Sequence, residues 1–513
     1  MNSNGSVFKT AAFVLVAKVV GFLISFALPF VIVRTMVPQL VGIYRISFQV
    51  VTDVSGMLTF GFGMSAFYFI ARGKEAGRRA ILNILLFYVL VGAGAFLVLT
   101  TNNGILGGLF QSKEVAALST VIGLVIWIWL LSSFFELAAL ANGEPKIASV
   151  VIVFSQLSKA TLLVTAVWIW REPVALLWAA FVHGLLQTVF LVWYLISRFP
   201  GFWRSFSPTF FFRQAKYALP FGLAGVLYIF QSSAQNYFVG HYFSETEFAV
   251  FAYGCFQLPL LSMVYESLTA VLIPKMSELG LAGDKPQMVR LTFEAICKLA
   301  LVNFPVFFFF LVFSSELITT LFTKAFKDSV PLFQIFLILI PFQIFVSDPI
   351  VRAYEKLGRV MLILRIVLVA LFLAVLYFLV HLRDLRLIVG AVVGLSLLEK
   401  AVAETLVFRE IGTKISDLKG IRRLPVIAFA SAVSGGIAYF LKVVLLFNGV
   451  GLVGTIAAAL SPHMALRAVE TISGGVALGV GGLGFGISYL VLLRVLRFVP
   501  RISFGSYKEL FIG

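Results

Sequence analysis

The chain has 513 residues, of which 60% are hydrophobic and only 12% charged, with a formal charge of +17. A soluble globule is nearer 25% charged and 45–50% apolar, and one this apolar could not cover its surface with polar groups. A basic balance alone can indicate nucleic-acid binding, but here Lys and Arg sit in short gaps between apolar runs, the pattern of a membrane protein's inner loops. Nucleic acid is therefore not an expected partner.

Apolar runs of about 20 residues, each enough to cross ~30 Å of hydrocarbon as a helix, recur about fourteen times. They lie near 12–33, 46–71, 80–101, 115–141, 147–170, 174–197, 217–240, 248–273, 291–313, 330–351, 360–380, 387–408, 424–447 and 471–496. The expected fold class is an all-α integral membrane protein. Lys18 interrupts the first apolar stretch and no small-residue cleavage site follows, so that stretch is expected to stay as a helix and not to be removed as a signal peptide. With the N-terminus inside, inner loops such as Arg72–Arg79 and Arg409–Arg423 hold most of the Lys and Arg, roughly 25 against 10 outside. Both termini are then expected to be cytoplasmic. The Arg198–Lys216 loop mixes Phe and Trp with four basic residues, as an interfacial segment would. It follows the sixth span, where a linker between two halves belongs. The residues from Asn448 to Glu470 are expected to form the longest outer loop. The turn from Arg34 to Gln49 can be laid over His241 to Phe256 as a faint internal repeat. Pro29, Pro259, Pro305 and Pro341 fall inside spans and each removes a helical hydrogen bond.

Cys255 and Cys297 read as small buried hydrophobes. The four histidines show no metal spacing, and no P-loop, HExxH or GxSxG is present. Gly479, Gly481 and Gly484 fit GxGxxG, but within an apolar span they suit small-residue helix packing better than a nucleotide. Neither an enzyme nor a cofactor is expected, and energy must come from a gradient, a partner or the substrate.

The functional signal lies in ionisable groups inside spans, which tend to mark function because charge there is costly. They are Lys18, Asp53, Glu136, Lys159, Glu266, Asp348, Arg365, Glu399, Lys400 and Glu404. Lys400 and Glu404 are one turn apart and can pair within their helix. Arg365 is close enough to its helix end to snorkel. Lys18 shares a face with Phe22, Ser25 and Pro29, and Gln49, Thr52, Asp53 and Gly56 make a polar stripe. Tyr228, Gln231 and Gln235 align with Asn236 beside them, Gln156 aligns with Lys159, and Ser262 with Glu266 and Thr269. Such stripes either line an aqueous cavity or hydrogen-bond between helices.

Val33-Arg34-Thr35-Met36-Val37-Pro38, Gly42-Ile43-Tyr44 and Gly61-Phe62-Gly63-Met64-Ser65-Ala66 resemble the Arg-x-Leu-x-Pro, Gly-x-Tyr and Gly-x-Gly run of the polysaccharide-exporter, Wzx-like flippase branch of the MOP (multidrug/oligosaccharidyl-lipid/polysaccharide) superfamily. Leu219-Pro220, Tyr237-Phe238-Val239-Gly240, Glu247 to Phe251 and Pro274-Lys275-Met276-Ser277 look like a second set. Departures are Gln235-Asn236, near where that family often has an acidic residue, and Phe251 in place of Tyr. The resemblance implies two six-helix lobes in a V, residues 1–216 and 217–423, with an added helix pair and cytoplasmic tail in 424–513. It implies a flippase or exporter moving a polyprenyl-pyrophosphate-linked oligosaccharide across the cytoplasmic membrane by alternating access. Expected substrate-binding residues are Lys18, Arg34, Gln49, Lys159, Gln231, Gln235 and Asn236, with Asp53 and Glu266 for a coupling H+ or Na+ and Asp53 also a possible partner for Lys18. Membrane lipids and a polysaccharide polymerase or glycosyltransferase are the expected partners. The alternatives are a cation-coupled multidrug exporter and an integral-membrane polymerase or glycosyltransferase. The helices after Arg423 argue against the first, and the lack of a large outer loop with catalytic residues argues against the second.

Overall fold

The computed structural model describes residues 3–458 and 462–496, and among these there is no strand. The expected cytoplasmic tail beyond residue 496 lies outside the described residues. The chain divides into two compact units, Met1–Ala252 and Tyr253–Gly513. Nine helices among the described residues are long and apolar enough to cross a membrane.

In the first unit the order is α1 (Ser3–Thr35), α2 (Pro38–Leu58), α3 (Ser65–Ile70), α4 (Lys74–Thr101), α5 (Gly104–Phe110), α6 (Lys113–Ala117), α7 (Ser119–Ser132), α8 (Phe134–Ala141), α9 (Pro145–Trp170), α10 (Pro173–Arg198), α11 (Pro208–Tyr242) and α12 (Glu245–Gly254), the last crossing the unit boundary. Prolines at the first turn open α2, α9, α10 and α11, where their missing N–H is an orphan in any case. α1 packs along α9, α7 against α4 and α10, and α11 against α2. A cluster built on Phe62, Tyr88, Phe134, Tyr194 and Phe199 forms the core, and the Phe62 and Phe87 rings stack at 4.0 Å.

Two expectations are corrected here. The second span is not one helix: it stops at Leu58 and resumes at Ser65. Gly61, at φ +72°, turns the chain, while the Thr59 and Ser65 hydroxyls take up carbonyls of Gly56 and Phe62 at 2.9 and 2.5 Å. The stretch 198–216 is also not wholly an interfacial linker. Pro208, capped by Ser207, begins α11 nine residues before the expected start of the span. The repeat reading gains support. α1 to α2 and α11 to α12 are joined by equivalent two-residue turns, Met36-Val37 and Phe243-Ser244, and Gly42 lets the second turn approach at Glu245.

At the α8–α9 turn, Glu144 accepts from the Tyr194 hydroxyl at 2.6 Å and from Arg198 Nε at 2.9 Å. Burial alone would raise its pKa; the hydrogen bonds of Tyr194 and Asn142 and the charge of Arg198 outweigh it and hold the carboxyl below its ordinary value of 4.5. A folded-state value below the unfolded one gives stability that is complete above 4.5 and is lost as pH falls through the lowered value. The melting temperature should therefore drop on acidification in the wild type and change less in Glu144→Gln. Equal acid sensitivity of the two proteins would contradict this.

The second unit continues with α13 (Pro259–Ala282), α14 (Lys285–Val312), α15 (Ser314–Phe322), α16 (Ser329–Leu337), α17 (Leu339–Phe342), α18 (Asp348–Ala353), α19 (Glu355–Val380), α20 (Leu385–Glu410), α21 (Leu424–Ala458) and α22 (Pro462–Val495). Its core joins Met276, Met288, Phe293, Ile296, Phe313 and Ile350. Lys442 of α21 and Glu316 of α15 form an ion pair at 2.8 Å, each nearly buried. The eighth span, expected to be continuous, is broken at residues 255–258, where Pro259 removes a donor and disfavours helix just before it. The tenth is broken at 343–347, ahead of Asp348-Pro349, and the Ile340 carbonyl at the end of α17 accepts both the Gln343 N–H and the side-chain amide of Asn303 of α14, each at 3.1 Å. The expected 448–470 loop is mostly helix, since α21 runs to Ala458 and α22 begins at Pro462.

Candidate functional site

In the first unit the expected residues fall into two groups. The first lies between α1, α8 and α9. Gly21 removes the side chain that would stand against Gln156, so the helices come close enough for the Ser25 hydroxyl to donate to Gln156 Oε1 at 2.5 Å. On the same α1 face, two turns earlier, Lys18 Nζ stands 3.7 Å from Glu136 Oε1, with side-chain exposures of 55% and 37%. Lys159 follows Gln156 along α9, half-buried and with no ion pair among the described residues. The neighbouring Ser158 hydroxyl is 3.1 Å from Nδ1 of buried His183, whose ring lies within the field of the Lys159 ammonium.

The second group joins α2 to α11. Asp53, 6% exposed, accepts from Gln49 Nε2 at 2.7 Å and from the Tyr237 hydroxyl. Gln49 Nε2 also lies 3.3 Å from Ser233 Oγ. Above this network the backbones nearly touch. A Cβ on Gly61 would meet the Ala218 carbonyl at 2.6 Å, and one on Gly222 would strike the Phe60 backbone.

The structure corrects the pairing of Lys18 with Asp53: Lys18 faces Glu136, while Asp53 is tied to α11. Arg34 is exposed at the end of α1 and donates to the Phe30 carbonyl of its own helix at 2.8 Å. Gln235 likewise donates to the Ser232 carbonyl at 2.7 Å. Gln231 and Asn236 are half-buried on α11. Glu266 is exposed on α13 in the second unit. Lys400 and Glu404 do not form the expected intrahelical ion pair, whereas Arg365 reaches Glu399 on the next helix at 3.4 Å instead of a helix end. Sequence reasoning missed Tyr237 and Ser233 as partners of the Asp53 stripe. Their spacing with Gln49 is legible only once α2 and α11 are in contact. It also passed over Ser158, next to Lys159 on α9, and its partner His183 on α10. No group of His, Cys, Asp and Glu among the described residues can hold a metal ion.

Residues 31–331 match the family model described as polysaccharide biosynthesis protein. Among solved structures, the chain is similar to the lipid II flippase MurJ in an inward-closed conformation, with a TM-score of 0.68, 12% identity, and coverage of 95% of this chain and 99% of that one. It is similar to an inward-facing multidrug resistance MATE transporter of the MOP superfamily, with a TM-score of 0.56, 15% identity, and coverage of 78% and 98%. An outward-facing MATE transporter gives 0.54, 16%, 79% and 96%. No curated protein matches the sequence. The fold is that of MOP-superfamily transporters, and the chain belongs to the polysaccharide biosynthesis protein family.

Proposed function

We propose that this protein is a flippase that carries a polyprenyl-pyrophosphate-linked oligosaccharide from the inner to the outer leaflet of the cytoplasmic membrane by alternating access. The observation that carries this reading is Lys18, an ammonium in the middle of an apolar helix with more than half of its side chain exposed. Facing lipid, such a charge costs at least ~2.5–3.5 kcal/mol; facing a water-filled cavity, it is a ready partner for phosphate. Glu136 at 3.7 Å then holds Lys18 in place when substrate is absent. Lys159 supplies a second cation, and Arg34 a third at the helix end. Gln49, Gln231, Gln235 and Asn236 offer the amide donors and acceptors that sugars require. Asp53 and Glu266 are the carboxylates available to a coupling H+ or Na+. Both termini lie in the cytoplasm on this reading, the lobes run from 1 to 216 and 217 to 423, and a polysaccharide polymerase or glycosyltransferase works beside it.

Multidrug export is the second reading, supported by the MATE fold. Against it, the inward- and outward-facing MATE structures described above pair with 78–79% of this chain and MurJ with 95%, so more of the chain fits the flippase fold. Binding tests the choice. The purified protein should bind a polyprenyl-pyrophosphate oligosaccharide at least tenfold more tightly than the matching polyprenol, since phosphate contacts to fixed cations are worth about 1.5–3 kcal/mol. Equal affinity for the two lipids would remove the basis for the reading.

A further inference from the structure

Glu404 is a different kind of carboxylate from those discussed above. It sits on α20 and is 6% exposed, and its Oε2 is buried with no hydrogen-bond partner. No other carboxylate oxygen among the described residues is in that position. Asp53, by contrast, has donors from two side chains. An ionised carboxylate with a buried oxygen lacking a donor bears an uncompensated desolvation cost, which the neutral acid avoids.

The surroundings are specific. α20 packs on α16, α17 and α19. α16 and α17 carry no ionisable side chain. Arg365 of α19 is engaged with Glu399, 3.4 Å away. Asp348 and Arg352 of α18 pair with each other at 2.9 Å. That leaves Lys400, one turn back on α20, the Ser347 hydroxyl, placed to donate to the carboxylate, and Tyr265 of α13, within electrostatic range of both Glu404 and Asp348. Lys400 lies beyond ion-pair distance, so it attracts the carboxylate without satisfying the orphaned oxygen. Ser347 ends the 343–347 break in the tenth span. Helices broken at membrane depth supply backbone groups to ion and substrate sites, because irregular chain is tolerated there only where it is buried or lines a cavity.

We propose that Glu404 is a proton-binding site of the second unit, taking up one proton at its unpartnered oxygen. Uptake converts carboxylate and H+ to the neutral acid, and release is the reverse. The new O–H finds its acceptor among the carbonyls freed by the 343–347 break. A shift of that segment changes whether the acid or the carboxylate is the better fit, which ties proton occupancy to helix position. The link to transport rests on the flippase reading; the proton site does not.

Infrared spectroscopy of the full-length protein in lipid nanodiscs tests the site. A protonated-carboxyl C=O band should be present near neutral pH, be lost in Glu404→Gln, and persist in Glu399→Gln. Lys400→Met should strengthen the band, since the remaining nearby cation is gone. A band unchanged in Glu404→Gln, or no such band in the wild type and Lys400→Met, overturns the proposal. In proteoliposomes carrying a fluorescent polyprenyl-pyrophosphate disaccharide, an imposed pH gradient should speed flipping by the wild type and lose its effect in Glu404→Gln. Gradient-driven acceleration that survives in Glu404→Gln overturns the coupling role. If neither protein flips the probe while the infrared band behaves as expected, the proton site stands and the flippase reading fails.

Discussion

Lys18→Ala should lower transport of a lipid-linked pyrophosphate about ten- to 150-fold while leaving the protein folded. The range is that of one charge-assisted hydrogen bond, about 1.5–3 kcal/mol, converted at 1.36 kcal/mol per tenfold. Stability should barely move, because both members of the Lys18–Glu136 pair are more than one-third exposed and 3.7 Å apart. Exposed pairs of this kind contribute at most about 1 kcal/mol. Glu136→Gln separates the roles of the two residues. It frees the ammonium without removing it, so transport should be retained and affinity for pyrophosphate should rise. If Glu136→Gln were as inactive as Lys18→Ala, the pair would be acting as a structural unit and Lys18 would not be a phosphate ligand. The comparison is read from initial flipping rates and melting temperatures measured on the same preparations.

The second large effect is on folding. Gly222→Leu should cost 3 kcal/mol or more, at or beyond the upper end of the ~1–3 kcal/mol typical of overpacking. A Cβ at Gly222 would collide with backbone atoms of Phe60, which cannot swing aside as a flexible side chain would. The same segment contains Gly61 at φ +72°, which holds it against α11. Relief would require α2 and α11 to part, pulling Gln49 and Asp53 away from Ser233 and Tyr237. Gly225 lies one turn further along α11 with nothing near the position of a Cβ. Gly225→Leu should therefore be neutral or slightly stabilising, since Leu is the better helix former by about 1 kcal/mol. Folded yield and melting temperature in detergent decide between them. Similar values for the two variants would mean that the α2–α11 approach does not limit stability.

Much of this fold was legible in the sequence because hydrocarbon imposes one strict rule: the backbone must satisfy itself in helices of a set length. Length and hydropathy alone place α9 and α10 within two residues of their observed bounds, while α4 and α19 end where expected but begin six and five residues earlier. The breaks were less legible. Pro259 and Asp348-Pro349 carry the signal, yet the apolar composition runs straight through both. What interrupts the helix is a missing N–H and the steric demand of proline on its predecessor, neither of which alters hydropathy. The start of α11 is hidden for the opposite reason. Its first turns, Pro208 to Lys216, carry basic residues, so composition marks them as loop although Ser207 and Pro208 are a helix-opening pair.

The site divides in the same way. Residue types were legible, because a charge inside an apolar run stands out. Partners were not, because they depend on the rotation and register of helices distant in sequence. Lys18 with Glu136 and Asp53 with Tyr237 are each set by which face α1 and α2 turn toward their neighbours. Gly21 and Gly56 help set those faces, since they allow close approach at Gln156 and Ile229. Glu404 shows the limit most clearly. Its one-turn spacing from Lys400 predicted a pair, whereas its environment is set by a break some sixty residues earlier in the chain.

The most direct test is a flipping assay in proteoliposomes with a fluorescent polyprenyl-pyrophosphate-linked oligosaccharide placed in one leaflet. The account predicts that the purified protein moves this lipid to the opposite leaflet well above the rate in protein-free liposomes, and that Lys18→Ala abolishes most of the excess. Contradiction would be a rate equal to that of protein-free liposomes from folded protein, above all if the same vesicles exported cationic drugs.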